Sequence, residues 1–81
     1  MHDVKINKDC FVPKENIKFY VGYGMNAVKR DVCTKRKEGK VHDYTAGKKI
    51  ASVIYLKNGE LILVNTSITT LNQRMEGERN E

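Results

Sequence analysis

Two adjacent lysines, Lys48 and Lys49, follow Ala46-Gly47 and lead into an apolar strand in the run TAGKKIASVIYLKNGELILV, residues 45–64. A lysine ammonium holds oxyanions by point charge and by donated hydrogen bonds. Two of them on a glycine turn, mounted against the stiffest part of the chain, suit the holding of an anion better than simple solubility. The charge nearby agrees. Between Lys29 and Lys49 stand eight basic residues (Lys29, Arg30, Lys35, Arg36, Lys37, Lys40, Lys48, Lys49) against three acids (Asp31, Glu38, Asp43), which accounts for the whole net charge of +5. Positive charge so confined points to an anionic partner such as nucleic acid. A solvated lysine-rich face is the plainer alternative.

Other chemistry is not indicated. The carboxylates are scattered, and no serine–histidine–aspartate set carries a local signature. VGYGMN, 21–26, follows a strand and precedes a helix as a phosphate loop does. It lacks both glycine spacings of the nucleotide motifs and reads as a turn. Cys10 and Cys33 are far apart in sequence, and with His2 and His42 they make no metal-ligand spacing. Both are expected as free thiols, with no metal, no cofactor, no small-molecule substrate and no enzymatic activity.

The chain of 81 residues is sized for one domain, placed at 1–75, with 76–81 as a disordered acidic tail. A chain this short buries only about 60–65% of the surface that it exposes when unfolded, so self-association would help it. No apolar run approaches the roughly 18 residues of a spanning helix, and MHDVKINKDC has no apolar signal region. The expected location is the cytoplasm, away from membranes.

The elements that would position the lysines follow from periodicity. The expected fold is α+β, with a small, mainly antiparallel sheet. Strands are placed near 4–6, 10–12, 16–21, 41–45, 50–57 and 60–65. In NIKFYV the alternation puts Ile17, Phe19 and Val21 on one side and Lys18 and Tyr20 on the other. A helix is placed at about 26–38, with Asn26 as N-cap, Gly39 as the residue that ends it, and Met25, Val28 and Val32 on a thin apolar face. A shorter helix at about 67–75, capped by Thr66 or Ser67, buries Ile68, Leu71 and Met75. Asn58-Gly59 between two strands is a hairpin signal of type I′, which needs positive φ at both residues. Those two strands are apolar on both faces. They are read as central, or as covered twice, by a helix and by another subunit.

The run from 26 to 75 resembles the RemA family of bacterial biofilm-matrix regulators over about 50 residues without a gap. The family carries a P-I-K-R helix start, a glycine at the helix end, D-A-T-Y-G-R-R before a strand, and an S-A-V-Q-P-E-T-V-A-x-R-L tail. The counterparts are Val28-Lys29-Arg30, Gly39, Asp43 through Lys49, and Asn65 to Met75 with Leu71, Arg74 and Met75. The resemblance implies a DNA-binding transcriptional regulator that assembles into a ring-shaped homo-oligomer. The family's paired arginines, which contact DNA, fall on Lys48 and Lys49. Its glycine-rich G-F-G-N segment falls on Asn7-Lys8-Asp9-Cys10. A further family arginine falls on Asn16, flanked by Lys14 and Lys18. The expected DNA-contacting set is thus Lys48, Lys49, Lys29, Arg30, Lys14 and Lys18. Lysine lacks the planar bidentate fork of arginine, so binding weaker and less sequence-specific than in close family members is expected.

Double-stranded DNA and further copies of the same chain are therefore the expected partners. The alternative is a protein–protein interaction module, for example of phage or mobile-element origin, on the same fold. RNA binding ranks below both, because the six aromatic residues show no base-stacking pattern.

Overall fold

The two apolar strands on either side of Asn58-Gly59 form the centre of the protein. The structure, a computed structural model, describes residues 3–8 and 10–79. β1 (Asp3–Asn7) and β2 (Cys10–Pro13) pair as a separate antiparallel hairpin. A 3-10 turn (Lys14–Asn16) leads to β3 (Ile17–Gly22), α1 (Asn26–Lys37), β4 (Val41–Tyr44), β5 (Ser52–Leu56), β6 (Leu61–Val64) and α2 (Ile68–Arg79). The second sheet has the order β3-β5-β6-β4, so β5 and β6 lie inside it. The fold is α+β, as expected. Among the described residues, no helix is long and apolar enough to cross a membrane.

Burial on both faces explains why β5 and β6 carry so few polar residues. On one face Ile54, Ile62 and Val64 pack against Val4, Ile6 and Val12 of the small hairpin and Leu71 of α2. On the other, Val53, Leu61 and Leu63 pack against Val28 and Val32 of α1. Each such side chain contributes about 1.5–3 kcal/mol when fully buried. The expectation of a second subunit as the second cover is thus corrected. The β1–β2 hairpin, which reads in the sequence only as strand pieces, covers that face together with α2. Self-association would have to use other surfaces.

Connectivity decides where loops meet. β3 runs antiparallel to β5 and β5 to β6, while β4 joins β6 in parallel from Val41 opposite Leu61 to Tyr44 opposite Val64. β3 and β4 therefore point the same way at opposite edges, and α1 crosses between them. The C-terminal ends of β3, β4 and β6 and the start of β5 gather at one end of the sheet, termed the basic end for the Lys48-Lys49 turn it carries, although the close of α1 makes the opposite end rich in lysine as well.

Several local details differ from the periodicity. Ile17 faces Leu56 while Phe19 faces Tyr55, so Lys18 is an extra residue in a bulge. Ile17 consequently packs with Tyr20 in the hairpin-side cluster, and Val21 in the other. α1 begins at Asn26, and Met25 is its N-cap in extended conformation, without a side-chain cap bond. Helical periodicity does not extend to Met25, which is 64% exposed. The other end is as expected. Gly39 takes φ 73°, with Gly39 N donating to Arg36 O and Lys40 N to Lys35 O, the two bonds of a Schellman stop. In α2 the cap is Ser67, whose Oγ accepts from Thr70 N at 3.2 Å. The helix continues to Arg79, beyond the expected 75 and through the first four positions of the expected 76–81 tail; 80 and 81 lie outside the described residues.

The hairpin turn is also of another type. Gly59 has φ 91°, but Asn58 does not share a positive φ. Gly59 N donates to Leu56 O at 3.0 Å and Leu56 N to Glu60 O at 2.9 Å. That is a three-residue loop, Lys57-Asn58-Gly59, with glycine in the left-handed position. Glu60 N bonds Asn58 Oδ1 at 2.9 Å, so the asparagine closes the loop through its side chain.

Candidate nucleic-acid interface

The turn with positive φ at both centres is the lysine turn. Ala46 has φ 56° and Gly47 φ 80°, and Lys48 N donates to Thr45 O at 3.1 Å. Ala46 is, among the described residues, the one non-glycine held in this region, which costs an L-residue about 1–2 kcal/mol. What holds it there lies immediately before it. Thr45 is buried, and both its backbone N–H (3.0 Å) and its hydroxyl (2.7 Å) donate to Asp43 Oδ1. These bonds from Thr45 hold the Asp43 carboxyl below the usual carboxylate range, with Arg36 at 3.8 Å adding a smaller effect. Lys48 and Lys49 are exposed on this braced turn.

The fold brings four of the six expected contact residues to the basic end. Tyr23 N donates to Ala51 O at 3.1 Å, which ties the start of α1 to the strand entered from Lys48-Lys49. Lys29 and Arg30 are four and five residues after Gly22-Tyr23-Gly24-Met25 ends, counted from Met25, within about the first turn and a half of α1. Lys29 Nζ sits 5.8 Å from the Tyr23 ring centroid, so its position is biased towards that end. Asp31 is turned elsewhere, accepting from Tyr55 OH at 2.8 Å. Burial and that carboxylate push the Tyr55 phenol up to about 12. Among the described residues, no carboxylate lies within ion-pair distance of Lys29, Arg30, Lys48 or Lys49.

Lys14 and Lys18 are not part of this group. Lys57 N donates to Asn16 O, which puts the 3-10 turn beside the Lys57-Asn58-Gly59 loop at the opposite end of β3. A strand of this length separates the two ends by roughly 15 Å. Lys18 instead lies 5.9 Å from the Phe19 ring centroid. The same far end holds the basic close of α1, where Lys35 pairs with Glu38 at 3.7 Å. There His42 Nε2 and Glu60 Oε1 are 2.8 Å apart, an interaction that lowers the Glu60 carboxyl from its ordinary value.

Two cations that sequence reasoning left out of the contact set are present at the basic end. Lys8 follows β1, whose Asn7 Nδ2 donates to Tyr44 O at 2.9 Å, and Arg74 of α2 donates from Nη1 to Lys5 O at 2.9 Å. They belong to segments far apart in the chain, so no spacing could have joined them. Cys10 packs on the hairpin side of the sheet and Cys33 is exposed on α1 on the other side. Burial raises the Cys10 thiol.

A protein-family profile described as "RemA-like: Extracellular matrix regulatory protein A-like" matches residues 4–75. Among curated proteins, none matches the chain.

Proposed function

The chain belongs to the RemA-like family, and on that premise we propose that it is a DNA-binding transcriptional regulator that acts as a ring-like homo-oligomer. The observation that carries the reading is the braced turn. Lys48 and Lys49 project from a backbone held by Asp43 and Thr45, with Lys29 and Arg30 at the same end and, among the described residues, no acid paired to any of the four. A turn whose backbone is fixed in advance adds no backbone ordering cost when its cations meet phosphates, and those cations release counterions from the duplex. Lysines at the turn favour phosphate contact over base readout, so the contribution of this turn to sequence preference is small.

Self-association draws support from the opposite edges of the main sheet. Phe11 and Tyr44, 59% and 44% exposed, line a groove of about 560 Å³ beside β4. Phe19 and Met25, 43% and 64% exposed, lie on and just after β3 at the other edge. Two different apolar patches on opposite sides of one protomer suit a head-to-tail contact, and such contacts give a ring where the rotation between neighbours closes. Sedimentation with and without a long duplex tests both halves of the proposal. A closed oligomer that shifts to a larger species with duplex supports it. A 9.3 kDa monomer indifferent to duplex would move the interaction-module reading to first place.

A further inference from the structure

A cleft of about 460 Å³ opens beside the lysine turn, on the side of the sheet opposite α1. We propose that it seats a phosphate group, held by Lys8, Lys48 and Arg74. This rests in part on the DNA-binding reading, because Lys48 belongs to both sites. The cleft has the size of a small-ligand site, which runs from about 300 to 1,000 Å³. Its three cations come from three separate segments: the end of β1, the 45–48 turn and α2. No carboxylate is found among the described residues that line it, and none of the three cations has a carboxylate partner among the described residues.

The walls are built in advance. Asn7 Nδ2 bonds Tyr44 O at 2.9 Å, and Thr66 Oγ1 bonds Ile6 O at 2.7 Å, so β1, the end of β4 and the approach to α2 are tied around the opening. Ser52 Oγ fixes the same stretch by bonding Thr66 O at 2.7 Å. Arg74 uses Nη1 on Lys5 O, which orients the guanidinium and leaves its other donors for a ligand. That planar fork is what the lysine pair lacks, and it matches two oxygens of one phosphate. Asn65 adds an amide to the lining. Three like charges held around one cleft repel each other until an anion enters, and a phosphate supplies both the charge and the acceptors. The phosphate can belong to a duplex backbone next to the one met by Lys49, or to a free nucleotide.

The test combines salt-dependent duplex binding with amide-shift titrations, using inorganic phosphate, a 5′-mononucleotide and a long duplex as probes. Lys8→Ala should lower duplex affinity severalfold and flatten the salt dependence, by up to about 0.9 in slope for each DNA-facing subunit, since Lys48 and Arg74 still hold part of the charge. Arg74→Lys should keep the slope yet lose affinity, because charge remains and the fork does not. The amides of Asn65 and Thr66 should shift saturably with duplex. If they instead saturate with the mononucleotide and duplex does not displace it, the cleft belongs to a free phosphate ester. Unchanged affinity and slope in Lys8→Ala, with no shift by any probe, would overturn the cleft while leaving the lysine turn to stand on its own variants. If wild-type protein binds no duplex, the DNA reading fails. The cleft is then sustained by saturable shifts with phosphate or mononucleotide and overturned without them.

Discussion

Asp43→Ala should cost stability out of proportion to the exposure of the residue. The carboxylate is about half exposed, so removing it opens no cavity. It is nevertheless the acceptor for two donors on buried Thr45, at 3.0 and 2.7 Å. Each hydrogen bond to a charged group is worth about 1.5–3 kcal/mol where both partners are buried. Here water reaches the carboxylate side and the threonine hydroxyl can turn to another partner, so the net loss should be about 1–2 kcal/mol. For a domain of this size that is a fall of roughly 5–15 °C in melting temperature. Asp43→Asn, which keeps an acceptor without the charge, should lose about half as much. The pH dependence supplies a second check. The Asp43 carboxyl is lowered in the folded state, chiefly by the Thr45 bonds, so the stability it contributes is fully present above the unfolded value of about 3.9. It is lost as pH falls through the lowered folded value. The gap between wild type and Asp43→Ala in urea denaturation at fixed protein concentration should thus be constant from neutral pH to about 5 and narrow below about 4. An equal gap at neutral pH and at pH about 3, or no gap at all, would refute the view that Asp43 braces the turn.

Other outcomes follow from the same contacts. Gly59→Val should destabilise by about 1–3 kcal/mol, because valine resists φ 91°; an added Cβ would meet only Lys35 Nζ at 4.0 Å, so crowding cannot explain a loss. An unchanged urea midpoint would show that the loop tolerates another backbone. Tyr55→Phe should remove the bond to Asp31 and cost about 1 kcal/mol, and spectrophotometric titration of the wild type should reveal one tyrosine that ionises near 12, absent in the variant. A high-pH tyrosine that persists after that substitution would contradict the assignment. Phe11→Ser, whose ring is 59% exposed, should dissociate the oligomer without unfolding the protomer; Phe19→Ser should also weaken it, at some cost in stability because that ring stacks on Tyr55 at 4.3 Å, and sedimentation unchanged in both would remove these edges from the subunit interface.

Much of the fold is legible where local chemistry decides it. Gly39 marks the end of α1, Ser67 is one of two caps that the sequence offers for α2, and the two-sided apolar pattern of β5 and β6 offers the centre of the sheet as one of two places for them. α2 outruns its expected end by four residues, while two other local expectations fail by a single residue. Lys18 in a bulge reverses Ile17 relative to the alternation, and the extended conformation of Met25 takes it off the helix face. The Asn58-Gly59 signal finds the hairpin but not its type, because the asparagine side chain closes a longer loop. The non-local features have no signal at all. Nothing in VHDY announces a parallel partner, and nothing in VKIN or CFVP shows that they cover the second face of the main sheet. The candidate site divides in the same way. Lys48 and Lys49 are adjacent and can be read as a pair, and the resemblance gives them a role. Lys14 and Lys18 enter the expected set only as neighbours of the position matching a family arginine, and the topology puts them at the other end. Lys8 and Arg74 reach Lys48 only through the packing of β1 and α2.

Whether the lysine turn contacts duplex phosphates is decided by the double variant Lys48→Ala, Lys49→Ala. Both side chains are exposed and the brace at Asp43 and Thr45 is untouched, so oligomer size and melting curve should be unchanged. Duplex affinity should fall strongly. The slope of log affinity against log salt should flatten by about 0.9 for each phosphate no longer neutralised, multiplied over the subunits that face the DNA. Substitution of Lys35 or Lys57, at the far end of the sheet, should change that slope much less. A double variant that keeps wild-type affinity and slope would show that the turn does not contact duplex and leave the two lysines as ordinary surface charge.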